Sequence, residues 1–235
     1  MLEERGTPTV TIGLVRLHME QTRPPRGLFV PFQLGRPLGE PQDPDFQHRV
    51  LRQALDLLAR PDGPVILEDF PEDPPNWRDT PGWRPPDLPD AVLPDSPAGW
   101  AAAFARELAA LRPTWEAAQA RYGRSTVGLA GQPPSAWPEF AARVLAGALP
   151  TVAAHATPAL ATRFLCDDIK AMYSEAAQAD GPAPASRQIE GWFWRATIAG
   201  GLLIALREAA MRSENNALKT VGGRFFVPGN WLPAA

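Results

Sequence analysis

The chain is poor in cysteine and histidine, and this scarcity restricts the chemistry available to it. Its 235 residues include one cysteine, Cys166, and three histidines. A single cysteine excludes an intramolecular disulfide. The histidines are scattered along the sequence, so they do not form the ligand spacing of a zinc site. We therefore predict no bound metal.

The sequence also lacks an excess of positive charge and any long apolar run. Lysine and arginine number 23 against 26 aspartates and glutamates, a net charge of −3, so no broad field attracts nucleic acid. No window reaches the roughly 18 uninterrupted apolar residues typical of a membrane span. The N-terminus, MLEERGTPTV, carries no apolar signal region. We expect a cytoplasmic protein that binds neither nucleic acid nor membranes.

Familiar catalytic signatures are missing as well. The segment "GLAGQ" (128–132) has no serine for a nucleophile elbow. The glycine spacing of residues 33–43 is neither a Walker loop nor a dinucleotide fingerprint. The sequence indicates no cofactor, and the cofactor requirement stays unknown.

Proline, in contrast, is abundant. The chain contains 28 prolines, and eleven of them fall from Pro61 to Pro97. Residues 71–97 also contain Trp77 and Trp83. Such a segment is too rigid for regular structure and too aromatic for a solvated linker. We predict that it wraps over the surface of its domain with the tryptophans facing inward.

The N-terminal half carries the pattern of an α/β fold. Short apolar segments predict strands near residues 7–13, 26–32, 63–68 and 125–130. An amphipathic helix lies between the second and third of them, and Asp43 is suited to cap it just before Pro44. This order of elements favours a small, mostly parallel sheet flanked by helices.

The C-terminal part is predicted to be entirely helical. Its helices are expected near residues 157–178 and 186–212, and the preceding part adds helices near 97–121, capped by Ser96, and 133–149. We divide the chain into an α/β domain of residues 1–150, which includes the proline-rich segment, and a helical part of residues 151–235 packed on it.

In the last helix Gly200 and Gly201 each cost about 1 kcal/mol of helix stability relative to alanine. They indicate close approach of another helix, from this chain or from a second copy.

The stretch "RPPRGLFVPFQLGRPLGEPQDPDFQHRVLRQALDLL" (23–58), with the strand "TPTVTIG" before it, resembles part of the component B subunits of the glycine, sarcosine, betaine and D-proline reductases. The likeness covers residues 5–70, about a quarter of the chain. Component B enzymes carry a redox cysteine or selenocysteine in a half that precedes the matched stretch, and this sequence begins after that half. The resemblance implies an oxidoreductase-like fold and a small amino-acid-like ligand, but assigns no catalytic residue here.

Ligands of parallel sheets bind outside the carboxyl ends of the strands, where the loop "QLGRPLGEPQD" (33–43) is expected. Gly35 and Gly39 allow the backbone to approach a ligand closely. Arg36 can clamp a carboxylate through two hydrogen bonds. The alternative is that the loop only forms a stiff connection or a subunit contact.

Two further segments are expected at the same edge. Glu68 and Asp69 end the third strand and are candidate catalytic bases, the alternative being a solvated acidic turn. The segment after the first strand offers His18 as a catalytic candidate and Glu20 as a ligand-binding one. His18 and Glu20 share a face if this segment is extended, but not if it is helical.

A separate pair of acids lies in the predicted helix 157–178. Asp168 and Glu175 fall on one helical stripe. The Glu-x-x-His pairs of a di-iron bundle are missing. We therefore predict that Asp168, Tyr173 and Glu175 form hydrogen bonds between helices.

Two functions follow from these observations. The first is a reductase-component-B-like enzyme or binding protein that takes a small polar, amino-acid-derived ligand at the strand ends. The second is a non-catalytic subunit or assembly protein whose helices and sheet edge form an interface. Because four strands are few for a doubly wound sheet, we expect a homo-oligomer or a partner subunit.

Overall fold

The computed structural model describes residues 2–32, 35–39, 42–63, 65–73 and 79–232, and it confirms an α/β fold. The strands are β1 (Thr11–Gly13), β2 (Arg26–Phe29) and β3 (Ile66–Asp69). The helices are α1 (Arg16–Thr22), α2 (Pro44–Asp56), α3 (Pro97–Tyr122), α4 (Trp137–Leu145), α5 (Pro158–Ala176), α6 (Ser186–Ala196), α7 (Ile198–Arg212) and α8 (Asn216–Val221). None of these described helices has the length and apolar character needed to cross a bilayer.

The chain forms two compact units, residues 1–78 and 79–235. The first unit contains the sheet, whose strand order is β1-β2-β3 with both neighbouring pairs parallel. Its core is built on three aromatic rings whose centroids lie 5.4–5.7 Å apart: Phe32, Phe46 and Phe70. The helix α2 begins as the sequence predicts, since the Asp43 side chain accepts a hydrogen bond from the backbone N–H of Phe46 at 3.1 Å.

The second unit contains α3 to α8 around a separate hydrophobic core. Large side chains from successive helices meet there with no exposed surface: Phe104, Trp137, Leu165, Tyr173 and Leu203. The helices α3 and α4 share this core with the later helices. The observed division therefore lies before α3, whereas the sequence analysis placed it near residue 150.

The predicted fourth strand at 125–130 is wrong. Residues 124–128 have no regular structure, and residues 129–130 form a turn. The backbone N–H groups of Gly128, Leu129 and Ala130 all donate to the carboxylate of Asp168. Because these donors are occupied by a side chain, they are not available to a neighbouring strand.

The predicted helix 186–212 is two helices that meet at Thr197. This residue is extended (φ −121°, ψ 149°), and its hydroxyl oxygen accepts from the N–H of Gly200 at 2.9 Å, which caps α7. A Cβ added to Gly200 would overlap the carbonyl oxygen of Phe193, and one added to Gly201 would overlap Leu93. The close partners that explain these glycines are therefore within the chain.

Residues 79–95 of the proline-rich segment have no helix or strand and lie on the second unit. Trp83 packs against the core, and its indole N–H donates to the carbonyl of Ala177 at 3.0 Å. The Thr80 backbone N–H donates to Gln188 of α6 at 2.7 Å. The inward orientation predicted for Trp83 is confirmed, while Trp77 lies outside the described residues.

Candidate functional site

At the carboxyl edge of the sheet, the structure places an exposed network of ion pairs. The Nε of Arg16, which opens α1, donates to both carboxylate oxygens of Asp69 at 3.0 and 3.2 Å. The same guanidinium pairs with Glu20 one turn along the helix. The three side chains are 44–53% exposed. Asp69 and Glu20 are thus brought together through Arg16, a residue that the sequence analysis did not single out.

The other two catalytic candidates lie elsewhere. Glu68 and Asp69 are consecutive in β3, so their side chains project from opposite faces of the sheet. Glu68 pairs with Arg60 at 2.5 Å. His18 is exposed on α1, where a separation of two residues places it on a different helix face from Glu20. The extended alternative for this segment is therefore wrong.

Residues 35–39 and 42–43 of the predicted ligand loop are described. Gly35 (φ 90°) and Gly39 (φ 84°) adopt the left-handed conformation that favours glycine. At Gly39 a Cβ would come within 2.6 Å of the Phe46 ring. This glycine therefore packs the loop onto the aromatic core, which supports the alternative of a stiff connection. Arg36 is exposed.

The acids near the sheet edge are matched by arginines. Besides the pairs of Asp69 and Glu68, Glu72 binds Arg49 at 2.9 Å, and this hydrogen bond lowers the pKa of Glu72. In the part of the chain that the structure describes, no group of three His, Cys, Asp or Glu side chains could hold a metal ion. Exposed pairs of this kind usually contribute little to stability, because water screens their charges.

In the second unit, three carboxylates have structural roles. Asp168 is fully buried and accepts from three consecutive backbone N–H groups at 2.8–3.0 Å. Glu107 accepts from the Tyr173 hydroxyl at 2.6 Å and from the N–H groups of Ile198 and Ala199, which begin α7. Burial raises the pKa of Glu107 more than these hydrogen bonds lower it.

Glu175 connects α5 to α3 and to the segment after α3. It accepts from the indole N–H of Trp115 at 2.7 Å, the Ser125 hydroxyl at 2.8 Å, and the backbone N–H and hydroxyl of Thr126 at 2.6 and 2.8 Å. Burial raises the pKa of Glu175, but the hydrogen bonds outweigh it and the net shift is downward. The predicted hydrogen bonds between helices are confirmed for Tyr173 and Glu175, which bind Glu107 and Trp115 of α3. For Asp168 the prediction is wrong, because its partners lie in the non-helical segment 128–130.

Cys166 lies on the buried side of α5 and has no exposed surface. Desolvation raises the pKa of its thiol to about 12. The reactive form of a cysteine is the thiolate. At neutral pH this side chain therefore acts as a small buried hydrophobe.

A cavity of about 450 Å³ lies among α3, α4 and α5. Its apolar walls come from α3 and α5: Ala105, Leu108, Ala109, Trp115 and Met172. The α3 residues fall at i, i+3, i+4 and i+10, on one side of the helix. Because the Trp115 indole N–H is already bound to Glu175, its ring offers the cavity only an apolar surface.

The polar groups of the cavity are few. Arg112 and Glu116 on α3 are 61% exposed, and their nearest charged atoms are 3.7 Å apart. That separation is longer than the roughly 2.7–2.9 Å of a charge-assisted hydrogen bond. Ser135 and the preceding Pro133 and Pro134 line the cavity from the turn before α4. The arrangement suits a molecule with an apolar body and one polar end.

The sequence alone does not reveal this cavity, because its lining residues are spread from 105 to 172. The small side chains of Ala105 and Ala109 beside Leu108 were the one local signal. Small residues on a helix face indicate equally a close helix contact or a hollow. Only the packing of α4 and α5 distinguishes the two.

Compared with known proteins, the chain matches no protein-family model, no curated protein and no solved structure. The kinship with the component B subunits stays a prediction.

Proposed function

We propose that this protein binds a small, largely apolar organic molecule in the cavity among α3, α4 and α5. The observation that carries the proposal is the cavity itself. Its volume of about 450 Å³ falls in the range of roughly 300–1,000 Å³ typical of small-molecule sites, and its apolar walls with few polar groups are also typical.

The frame around the cavity supports a preformed site. The Trp115–Glu175 hydrogen bond ties α3 to α5 at 2.7 Å. The buried Glu107–Tyr173 hydrogen bond joins the same two helices at 2.6 Å. A site held rigid before binding spends less free energy on ordering its side chains.

The chemistry of the lining favours binding over catalysis. Among the described lining residues, the ionisable groups are Arg112 and Glu116, and both lie on the exposed side. The described lining contains one hydroxyl side chain, Ser135, and no histidine or cysteine to activate it or replace it. The one cysteine of the chain is buried with a raised thiol pKa. These features support a binding protein whose ligand leaves chemically unchanged.

The sheet edge supports a second ligand site less well. A small polar, amino-acid-derived ligand would meet Asp69 and Glu20 there, which already share Arg16. A ligand that displaced these ion pairs would gain no enclosed apolar surface, because the three side chains are exposed. The reductase-like function suggested by the resemblance therefore remains a proposal with weaker support than the cavity.

Filling the cavity tests the proposal. Ala109→Trp places a large ring in it, while Ala110→Trp adds the same ring at the next position, which does not line it. Both alanines are exposed, so both variants are expected to fold. Nile red, a neutral environment-sensitive dye, is expected to bind wild type and Ala110→Trp saturably at one site. Ala109→Trp should bind it at least about 10-fold more weakly. Equal binding by all three proteins would contradict the proposal.

A further inference from the structure

We infer that the ligand class of this cavity is a monocarboxylate with an aromatic or aliphatic body, whose carboxylate pairs with Arg112. The inference rests on the proposed function, since it requires the cavity to bind a small molecule. It adds the chemical identity of the polar end and the residue that recognises it.

The position of Arg112 on α3 is the first support. Ala105, Leu108 and Arg112 recur on one face of the helix, at i, i+3 and i+7. Helical side chains lean toward the N-terminus of their helix. The Arg112 side chain therefore extends over the turn that carries Leu108 and Ala109, which form the apolar wall. A carboxylate held by Arg112 leaves the attached apolar body next to that wall.

The second support is that the Arg112 guanidinium is weakly engaged. Within the described part of the chain its one ion pair is with Glu116, at 3.7 Å between side chains that are each 61% exposed. Exposed i,i+4 pairs of this kind stabilise a helix only slightly, because water screens the two charges. A ligand carboxylate that forms two parallel hydrogen bonds with the guanidinium fork makes a better partner.

The lining also favours an anion over a cation. Glu116 is the acid in the lining, and it lies one turn beyond Arg112, toward the C-terminus of α3 and away from Ala105 and Leu108. Its side chain leans toward Arg112 and not over Ala105 and Leu108. An ammonium group bound to Glu116 would therefore place its apolar body beside Trp115, farther from Ala105 and Leu108 than the body of a carboxylate on Arg112.

The test compares 3-phenylpropanoate with its neutral amide, 3-phenylpropanamide, by isothermal titration calorimetry. Wild type is expected to bind the acid about 10-fold more tightly than the amide, the size of one charge-assisted interaction. Arg112→Gln should remove that preference while leaving the amide affinity within about twofold. Arg106→Gln, an exposed arginine of the same helix outside the lining, should behave as wild type.

Each other outcome has a defined meaning. If wild type binds the acid no more tightly than the amide, or binds 3-phenylpropylamine more tightly than the acid, the carboxylate inference is overturned while the cavity remains a binding site. If Arg112→Gln weakens the acid and the amide equally, Arg112 is not the anion anchor and the inference also fails. A third outcome is that neither compound binds, while Nile red binds wild type and binds Ala109→Trp more weakly. The carboxylate class is then rejected, and the cavity remains a binding site. If no probe binds, the proposed function fails.

Discussion

Single carboxylates determine much of the local structure in the second unit. Glu175 and Asp168 each saturate a set of donors in the segment 125–130. That segment is therefore held by side chains of α5 and not by a neighbouring strand.

Glu175→Gln is expected to destabilise the protein by about 1–2 kcal/mol at pH 7, because the hydrogen bonds of an ionised acceptor are replaced by weaker ones. The pKa of Glu175 is lowered in the folded state from its ordinary value of 4.5. Its contribution is therefore present above that pH and is lost as the pH falls through the folded pKa. Urea denaturation at pH 7 and pH 3.5 should show the variant approaching wild type at the lower pH. The control is Glu214→Gln, an exposed acid, and a pH-independent difference for Glu175→Gln would contradict the account.

Cys166 is expected to be unreactive in the native protein. Its burial and raised thiol pKa leave almost no accessible thiolate. Ellman's reagent at pH 8 should report less than about a tenth of one thiol per chain, and a full thiol once guanidinium has unfolded the protein. A rapid reaction of the native protein with the reagent would show that the thiol is exposed. Thiol redox chemistry by this chain alone would then be a candidate function again.

At the scale of helices and strands, local signals predicted most elements. The three observed strands and the starts of α2, α3 and α5 were readable because capping residues and apolar periodicity act over a few positions. The β-branched segment near Val127 also has a strand pattern. Its conformation is instead set by hydrogen bonds to Asp168, which follows Gly128 by 40 residues in the sequence. The sequence pattern contains no signal of that contact.

The break between α6 and α7 has a similar cause. The apolar run continues through Thr197, so periodicity predicted one helix. Glu107, 91 residues earlier than Ile198, accepts its N–H and stabilises a new helix start. The candidate site was not predicted for the same reason, since its walls come from three helices, whereas the local sequence patterns indicated a site at the sheet edge.

The α6–α7 junction gives a prediction at this scale. Gly200→Ala is expected to destabilise the protein by about 1–3 kcal/mol, because the added Cβ overlaps the backbone carbonyl of Phe193. Gly191→Ala in α6 meets no atom within 4 Å and should stabilise the helix by up to about 1 kcal/mol. Urea denaturation of the two variants should give shifts of opposite sign. Equal shifts would contradict the packing described at the junction.

For the whole molecule, the main feature is that each unit has its own hydrophobic core. The core of Phe32, Phe46 and Phe70 belongs to residues 1–78, and that of Phe104 and Tyr173 to residues 79–235. Domains with separate cores can fold separately.

Residues 79–235 expressed alone are therefore expected to fold cooperatively and to retain the cavity. Circular dichroism should show a helical spectrum with a cooperative thermal transition, and Nile red should bind as it does to the full chain. A fragment without a cooperative transition would show that the second unit depends on the first.

Self-association or a partner subunit stays a prediction. In the described part of the first unit, β1 and β3 are the two edge strands, and Leu17 and Leu55 are 62% and 57% exposed. Light scattering on the purified chain at micromolar concentration would detect a dimer or larger assembly. A monomer would count against the expectation.

The central claim, that the cavity of the second unit is the ligand site, is tested most directly by methyl NMR of the four methionines. Met172 lines the cavity, whereas Met19 is buried on α1 in the first unit, where it packs against Gly13 and Gly27 of the sheet. On titration with 3-phenylpropanoate, we expect the Met172 methyl signal to shift saturably and the Met19 signal to stay in place. A shift of Met19 with no change at Met172 would contradict the account.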